Sequence, residues 1–209
     1  MSSIALAGRQ PVLADRVFSR TLATDLVLVA AGAAFTALLA QVTIPLWPVP
    51  ITGQTLAVLL VGATLGFSRG ASSLALYALL GFVGLPVYAP QDDGGHLTGF
   101  AALQAPSFGY IIGFIFAAGV VGWLSERKWD RKFLKALATF IGGSLVVFAF
   151  GLPWLAVVTG ATLLQTYQWG FEPFLIGGIV KALIAAALLP AAWWGADKLA
   201  ARRAQAPTE

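Results

Sequence analysis

The chain has 209 residues, of which 58% are hydrophobic and only 11% are charged, whereas charged residues average about 25% of soluble domains. This composition predicts a single membrane domain over residues 1–209 with the lipid bilayer as its solvent. The net charge of +4 does not indicate nucleic acid as a partner, because the basic residues flank apolar segments. The absence of cysteine and the single histidine exclude disulfides and a multi-histidine metal site.

Six apolar segments are candidates for membrane-spanning helices, since a helix needs about 20 mostly apolar residues to cross the hydrocarbon. They lie near 22–42, 52–67, 71–86, 107–125, 133–151 and 172–195. The second and third segments are short, and the stretch "FSRG" between them predicts a tight cytosolic turn. A seventh apolar stretch, 152–169, contains Pro153, Gly160 and two glutamines, so we predict an interfacial or half-inserted helix there.

The distribution of charge favours six spans with both termini in the cytosol. Lys and Arg concentrate in short cytosolic loops, and this topology places all but one of the 13 basic residues inside. The outer loops then hold Asp92, Asp93 and Glu172 without any Lys or Arg. A seventh span would move the basic residues after residue 195 outside. The predicted fold class is therefore an all-α membrane protein with six transmembrane helices.

Lys181 is the remaining basic residue, and it lies inside the last predicted span. It follows Glu172 by nine residues, which corresponds to a depth of about 13 Å at about 1.5 Å per residue. Its counter-group has to come from the outer-loop aspartates, from backbone carbonyls or from a ligand. Ionisable residues inside a membrane face the bundle interior and usually serve function. The alternative is a lysine satisfied by carbonyls and water, or one left neutral by burial.

A proline-rich segment precedes the second predicted span. Pro45, Pro48 and Pro50 predict an extended approach, with the helix beginning near Ile51 or Thr52 and Gln54 in its first turn. Extended backbone at membrane depth is tolerated where it is buried or lines a wet cavity. We therefore expect a cavity wall here, and a plain outer loop with a helix cap is the alternative.

The second outer loop, 89–106, follows a glycine- and proline-rich stretch. This region carries aromatic and polar groups at Tyr88, Asp92, Asp93 and His96, on the side away from the basic stretch 127–135. It is predicted to be either a lid over a binding site or a solvated surface loop.

The first predicted span carries small residues at Ala30, Ala33, Ala34 and Ala37. Small residues spaced four apart let helices approach closely. This face is a candidate docking surface for another membrane protein.

The sequence shows no catalytic machinery. It lacks a phosphate-binding GxxxxGK[ST] loop, a Ser-His-Asp set and a carboxylate pair within the spans, so we predict that the chain is not an enzyme. The alternative of a membrane enzyme acting on lipids needs a buried nucleophile, a metal cluster or an acid/base pair, and none of these is visible in the sequence. Six spans also leave little room for the paired repeats of many secondary transporters, so the energy for any uphill transport should come from a partner.

The segments "PLWPVPITGQTLAVLLVGATLG", "ALYALLGFVGLPVY", "PSFGYIIGFIFAA" and "EPFLIGGIVKALIAA" occur in this order. They resemble the BioY family, the biotin-binding substrate subunits (S components) of energy-coupling-factor transporters, over residues 30–195. The resemblance implies an S-component-like bundle that captures biotin from outside the cell without a cofactor. It also implies a multi-pass protein of the prokaryotic plasma membrane. Its first helix would dock on a transmembrane coupling subunit that carries two ATPase subunits.

The resemblance also implies ligand-binding residues. Lys181 matches the lysine of the family's last helix, Gln54 the glutamine after its proline motif, and Tyr110 the tyrosine of a GGY-type motif. Tyr88 and Asp92 fall in the loop that closes over the ligand.

One position departs from the family pattern. Many relatives carry an acid three residues before the lysine, on the same helix face, where this chain has Gly178. This leaves open which polar residues meet the ureido group of biotin and which meet its carboxylate, with Asp92 as a candidate acceptor. An S component for a different small vitamin and a structural membrane subunit without ligand remain alternatives, and a homo-oligomer is left open.

Overall fold

The computed structural model describes residues 10–91 and 94–205, with side chains as far as Lys198. Within these residues the chain is mainly helical. The helices are α1 (Leu13–Val17), α2 (Leu22–Ala40), α3 (Gln54–Leu65), α4 (Phe67–Phe82), α5 (Gly99–Ala102), α6 (Phe108–Ser125), α7 (Phe133–Thr159), α8 (Leu163–Gly170) and α9 (Phe174–Gln205). A 3₁₀ turn at Trp129–Arg131 precedes α7.

Four helices in the described part are long and apolar enough to cross a membrane, namely α2, α6, α7 and α9 as far as Lys198. This confirms the prediction of an apolar helical bundle. The helices α3 and α4 have only 12 and 16 residues, or about 18 and 24 Å at the rise of an α-helix. By length alone, neither spans a hydrocarbon layer of about 30 Å.

The proline segment between α2 and α3 forms a short antiparallel hairpin. Strand β1 (Thr43–Ile44) pairs with β2 (Ile51–Thr52), and α3 begins only at Gln54. The extended approach is confirmed, but the predicted helix start near Ile51 or Thr52 is wrong. Both residues pair with β1 instead of entering the helix.

The turn between α3 and α4 is a single residue, so the predicted turn at "FSRG" is wrong. Gly66 has φ +84°, a conformation that glycine adopts without steric penalty. Residues 67–70 then form the first turn of α4, and Glu126 Oε1 accepts a hydrogen bond from the Phe67 amide at 2.8 Å. A side chain at Gly122 of α6 would collide with this turn.

Helix α7 continues beyond the predicted boundary at residue 151, through Pro153 to Thr159. Packing past the proline stabilises this extension: Leu155 is fully buried, and Trp154 Nε1 donates to the Ala105 carbonyl at 3.2 Å. The stretch 152–169 is therefore not one helix. Its first half belongs to α7, which ends at Thr159 and is capped by Gly160 in the left-handed conformation, and its second half contains most of α8.

Helix α6 lies at the centre of the bundle and packs against α3, α4 and α7. Small residues allow this close packing. A Cβ at Gly62 of α3 would lie 2.6 Å from the Ala118 carbonyl oxygen, and one at Gly113 would lie 2.9 Å from the Val147 carbonyl oxygen. The helix axes are therefore too close for larger residues at these contacts.

The short helix α1 is tied to the bundle near the junction of α3 and α4. Arg69 contacts Asp15 at 2.6 Å and Asp25 at 3.2 Å. Burial by itself raises the pKa of Asp15, but hydrogen bonds from Arg20, Arg69 and the Val12 amide outweigh it and hold the pKa below its usual value. The stabilisation from this carboxylate is therefore present at neutral pH and is lost as the pH falls through the lowered pKa.

Candidate functional site

A pocket opens at the end of the bundle where α3 and α6 begin. Its wall comes from the hairpin, from the loop after α4 and from helices α3, α6, α7 and α9. The wall is mostly apolar with a few polar side chains, including Thr52, Gln54, Thr55, Ser144 and Lys181. An apolar pocket with a few placed polar groups is typical of small-molecule sites.

Lys181 lies in the wall of this pocket. Its Nζ donates to the Thr52 carbonyl at 2.5 Å and to Thr55 Oγ1 at 3.0 Å. An ammonium group has three N–H donors, so one direction remains for a further acceptor. None of the ion pairs found among residues 10–91 and 94–198 involves Lys181. The described chain thus solvates the cation with neutral oxygens and leaves its charge unpaired.

Gln54 is the first residue of α3 and lies two residues after Thr52, whose carbonyl accepts the hydrogen bond from Lys181. Its Oε1 accepts from Thr52 Oγ1 at 2.8 Å, and its Nε2 donates to the Tyr77 hydroxyl. The side chain lines the pocket but is only 6% exposed. Most of its hydrogen bonding is therefore directed to the protein itself.

Two tyrosines contribute to an aromatic wall. Tyr88 packs edge-on against Phe108, with ring centroids 6.4 Å apart, and its hydroxyl donates to the Ala78 carbonyl. Burial raises the pKa of Tyr88 to about 12, so the phenol stays neutral at physiological pH. Tyr110 stands on α6, and its hydroxyl donates to the Gly170 carbonyl at 2.9 Å. Both hydroxyls bind backbone, which leaves the rings to face the pocket.

Two positions from the sequence analysis remain, Asp92 and Gly178. Asp92 falls outside the described residues. Gly178 lines the pocket beside Lys181, and a Cβ there would meet nothing within 4 Å. The missing acid therefore leaves free space next to the ammonium.

The alanines of α2 do not share one face. Ala30 and Ala34 are exposed and Ala37 is partly exposed, whereas Ala33 is 1% exposed and packs into the core. The physical reason is the helical period: Ala33 is rotated towards the buried side occupied by Gly32 and Thr36. We call Ala30, Ala34 and Ala37 the alanine ridge.

Sequence reasoning missed three residues near the pocket. Thr52 and Thr55 hold Lys181, and Tyr77 holds Gln54 from α4. The Thr52–Gln54 contact had a local signal, because a threonine two residues before a helix start often bonds to its backbone. Nothing local marks Tyr77 or Thr55, since each meets a partner far away in the chain. Among the described residues, no group of acidic, cysteine or histidine side chains could hold a metal.

Comparison with known proteins identifies the family. The model of the BioY family matches residues 11–198. A protein of Rhizobium etli named biotin transporter BioY is 37% identical over 85% of this chain and 97% of its own length. A biotin transporter BioY of Thermotoga maritima is 36% identical over 73% of this chain and 87% of its own.

A solved structure is also similar. It is the crystal structure of the S-component for biotin from an ECF-type ABC transporter, with a TM-score of 0.69 and 25% identity, and the match covers 82% of this chain and 93% of that one. The family match and the two relatives confirm the resemblance that was predicted from four sequence segments. This chain belongs to the BioY family.

Proposed function

We propose that the chain is a membrane substrate-binding subunit that captures biotin from the extracellular side for import, with energy supplied by a partner ATPase module. The observation that carries the proposal is the Lys181 ammonium, which has no charged partner among the described residues and lies in an apolar pocket of a BioY family member. Biotin combines an apolar ring and tail with an anionic carboxylate and a ureido group, which suits such a wall. The relatives are transporters rather than enzymes, in agreement with the prediction.

Lys181, Gln54, Tyr88 and Tyr110 are the described residues proposed to bind the ligand. The free N–H of Lys181 would meet an oxygen of biotin, and the rings of Tyr88 and Tyr110 would pack against its apolar part. Asp92 stays a proposed acceptor from the loop that follows Tyr88.

The finer architecture is part of the same proposal. Six spans formed by α2, α3, α4, α6, α7 and α9, with both termini cytosolic, place the basic residues other than Lys181 inside and the pocket mouth outside. The chain would lie in the prokaryotic plasma membrane and dock through the alanine ridge on a transmembrane coupling subunit with two ATPase subunits. The solved S-component comes from an ECF-type ABC transporter, which supports these partners.

The first prediction concerns biotin binding by the purified chain. We expect isothermal titration in detergent to show one site per chain and Lys181→Ala to weaken binding about 100-fold. Hydrogen bonds to charged groups contribute about 1.5–3 kcal/mol, and every 1.4 kcal/mol is about tenfold in affinity. The thermal unfolding of the variant should change little, because Lys181 pairs with no charge in the described chain.

Lys135→Ala is the matched control, since this exposed lysine lies near the start of α7, away from the pocket. It should bind biotin like the wild-type chain. Wild-type affinity in Lys181→Ala would remove the ammonium from the site. Tighter binding of another small vitamin than of biotin would replace the proposed ligand.

A further inference from the structure

The amide of Gln54 is held on both sides by protein groups. Its oxygen accepts from Thr52 Oγ1 and its nitrogen donates to the Tyr77 hydroxyl. A primary amide offers one oxygen and two N–H donors, so its acceptor and one donor already have buried partners. These contacts fix the plane of the amide before any ligand arrives.

Thr52 is held in turn by Gln54. The Thr52 hydroxyl donates to the Gln54 side-chain oxygen and accepts from the backbone N–H of Gln54 at 3.2 Å. Strand pairing with Thr43 fixes the backbone of the same residue. The orientation of the Thr52 carbonyl is therefore set from two sides, and this carbonyl accepts from Lys181 Nζ at 2.5 Å.

Tyr77 lies at the other end of this series, on α4 and behind Gln54. It is fully buried and does not belong to the pocket wall. We call the series Tyr77–Gln54–Thr52–Lys181 the polar relay. All of its inner members are buried, and a buried hydrogen-bonding group left without its partner is unfavourable. Loss of the Tyr77 hydroxyl should therefore loosen Gln54 and, through it, Thr52.

We propose that Tyr77 is a positioning residue that fixes the Lys181 ammonium in the pocket through Gln54 and Thr52. The inference rests on the proposed function in one respect, since it takes Lys181 to bind the ligand. It adds a residue that never touches the ligand, and it assigns Gln54 a second task besides lining the wall.

The test is a double-mutant cycle on the full-length chain in detergent. Biotin affinity is measured for wild type, Tyr77→Phe, Lys181→Met and the double variant. Tyr77→Phe should weaken binding about fivefold, as expected for loss of one buried hydrogen bond. In the Lys181→Met background it should have almost no effect, because members of one hydrogen-bond network are not additive.

Thr36→Val is the matched control, because the buried Thr36 hydroxyl also donates to a protein oxygen, the Gly32 carbonyl at 2.9 Å, but lies outside the polar relay and the pocket wall. Its effect should be the same in both Lys181 backgrounds. Equal weakening by Tyr77→Phe in both backgrounds would overturn the inference, since Tyr77 would then act on the fold in general.

A second measurement needs no ligand. Reductive methylation of the ligand-free chain is followed at Lys181 by peptide mass spectrometry, with exposed Lys135 as internal reference. Tyr77→Phe should speed the modification of Lys181 about threefold, because the ammonium is held less firmly, and Thr36→Val should leave it unchanged. An unchanged Lys181 rate in Tyr77→Phe would overturn the inference.

These two measurements separate the inference from the proposed function. A wild-type chain that fails to bind biotin refutes the function, and methylation still decides the relay. Methylation also decides it if Lys181→Met leaves no measurable binding. If Tyr77→Phe fails to fold, Thr52→Val removes the central hydroxyl of the relay and should speed the modification of Lys181 in the same way.

Discussion

Tyr88 reaches the pocket because residue 81 has no side chain. A Cβ built at Gly81 of α4 would collide with the Tyr88 ring, nearest to its Cζ atom. The ring also packs edge-on against Tyr77, with centroids 5.6 Å apart, and the backbone carbonyl of Tyr88 lies 2.8 Å from His96 Nδ1. One glycine on a helix therefore determines where a loop residue can pack.

The substitution Gly81→Ala should displace Tyr88 and weaken biotin binding about tenfold. Overpacking typically destabilises by about 1–3 kcal/mol, but Tyr88 belongs to a loop and can move away. We therefore expect a clear loss in isothermal titration with little change in thermal unfolding.

Gly142→Ala on α7 is the control for this substitution, because a Cβ there meets nothing within 4 Å. It should bind like wild type and unfold at the same or a slightly higher temperature, since alanine favours helix. Unchanged affinity in Gly81→Ala would show that Tyr88 does not cover the ligand.

At the scale of single elements, α2 divides its small residues between two tasks. Gly32 and Ala33 face the bundle, where a Cβ at Gly32 would lie 2.5 Å from Ser73 Oγ of α4. Ala30 and Ala34 remain on the exposed side. The inward set allows α2 and α4 to pack closely, and the alanine ridge leaves a smooth outer surface.

Leucine substitutions on the alanine ridge test the proposed docking. The double variant Ala30→Leu, Ala34→Leu should bind biotin normally, because neither residue lines the pocket. Its co-purification with the coupling subunit and ATPases should fall about tenfold or more, since bulky residues keep the helices apart.

Ala187→Leu is the control for docking, since Ala187 is also an exposed alanine but stands on α9 and not on α2. It should co-purify with the module like wild type. Normal co-purification of the double ridge variant would place the interface elsewhere.

At the scale of the whole molecule, the number of membrane spans depends on how the short helices α3 and α4 cross the bilayer. The hairpin extends the path of α3, because buried Thr52 belongs to both β2 and the pocket wall. Irregular backbone at membrane depth is tolerated where it is buried in protein or lines a water-filled cavity. Hairpin and α3 together would then serve as one span, and α4 would return across a locally thinned or tilted region.

The absence of cysteine permits a direct test of this topology. Single variants Gln91→Cys and Leu163→Cys should react with a membrane-impermeant maleimide in intact cells. Ser68→Cys and Lys132→Cys should react only after permeabilisation, because they lie at the proposed cytosolic ends. All four residues are exposed in the structure.

The cysteine-free wild type is the blank for this labelling. Reaction of Ser68→Cys in intact cells would mean that α3 and α4 do not form a pair of spans. Reaction of Lys132→Cys in intact cells would reverse the proposed orientation of the bundle.

Sequence alone determined the properties that depend on neighbouring residues. The apolar composition predicted the helical bundle, the prolines predicted an extended entry to α3, and the distance from Glu172 predicted that Lys181 lies inside a helix. Family motifs located the four pocket residues Lys181, Gln54, Tyr88 and Tyr110. Helix boundaries were less well predicted. The strand pairing of Ile51 and the packing beyond Pro153 depend on partners that lie outside each segment.

Only the tertiary structure decided which groups meet. Lys181 contacts Thr52 and Thr55 from more than 100 residues away in the chain, and Gln54 finds Tyr77 on another helix. Ala33 faces the core while Ala34 does not. Helical periodicity and residue propensity describe one segment at a time, whereas hydrogen-bond partners and buried faces depend on how the helices pack together.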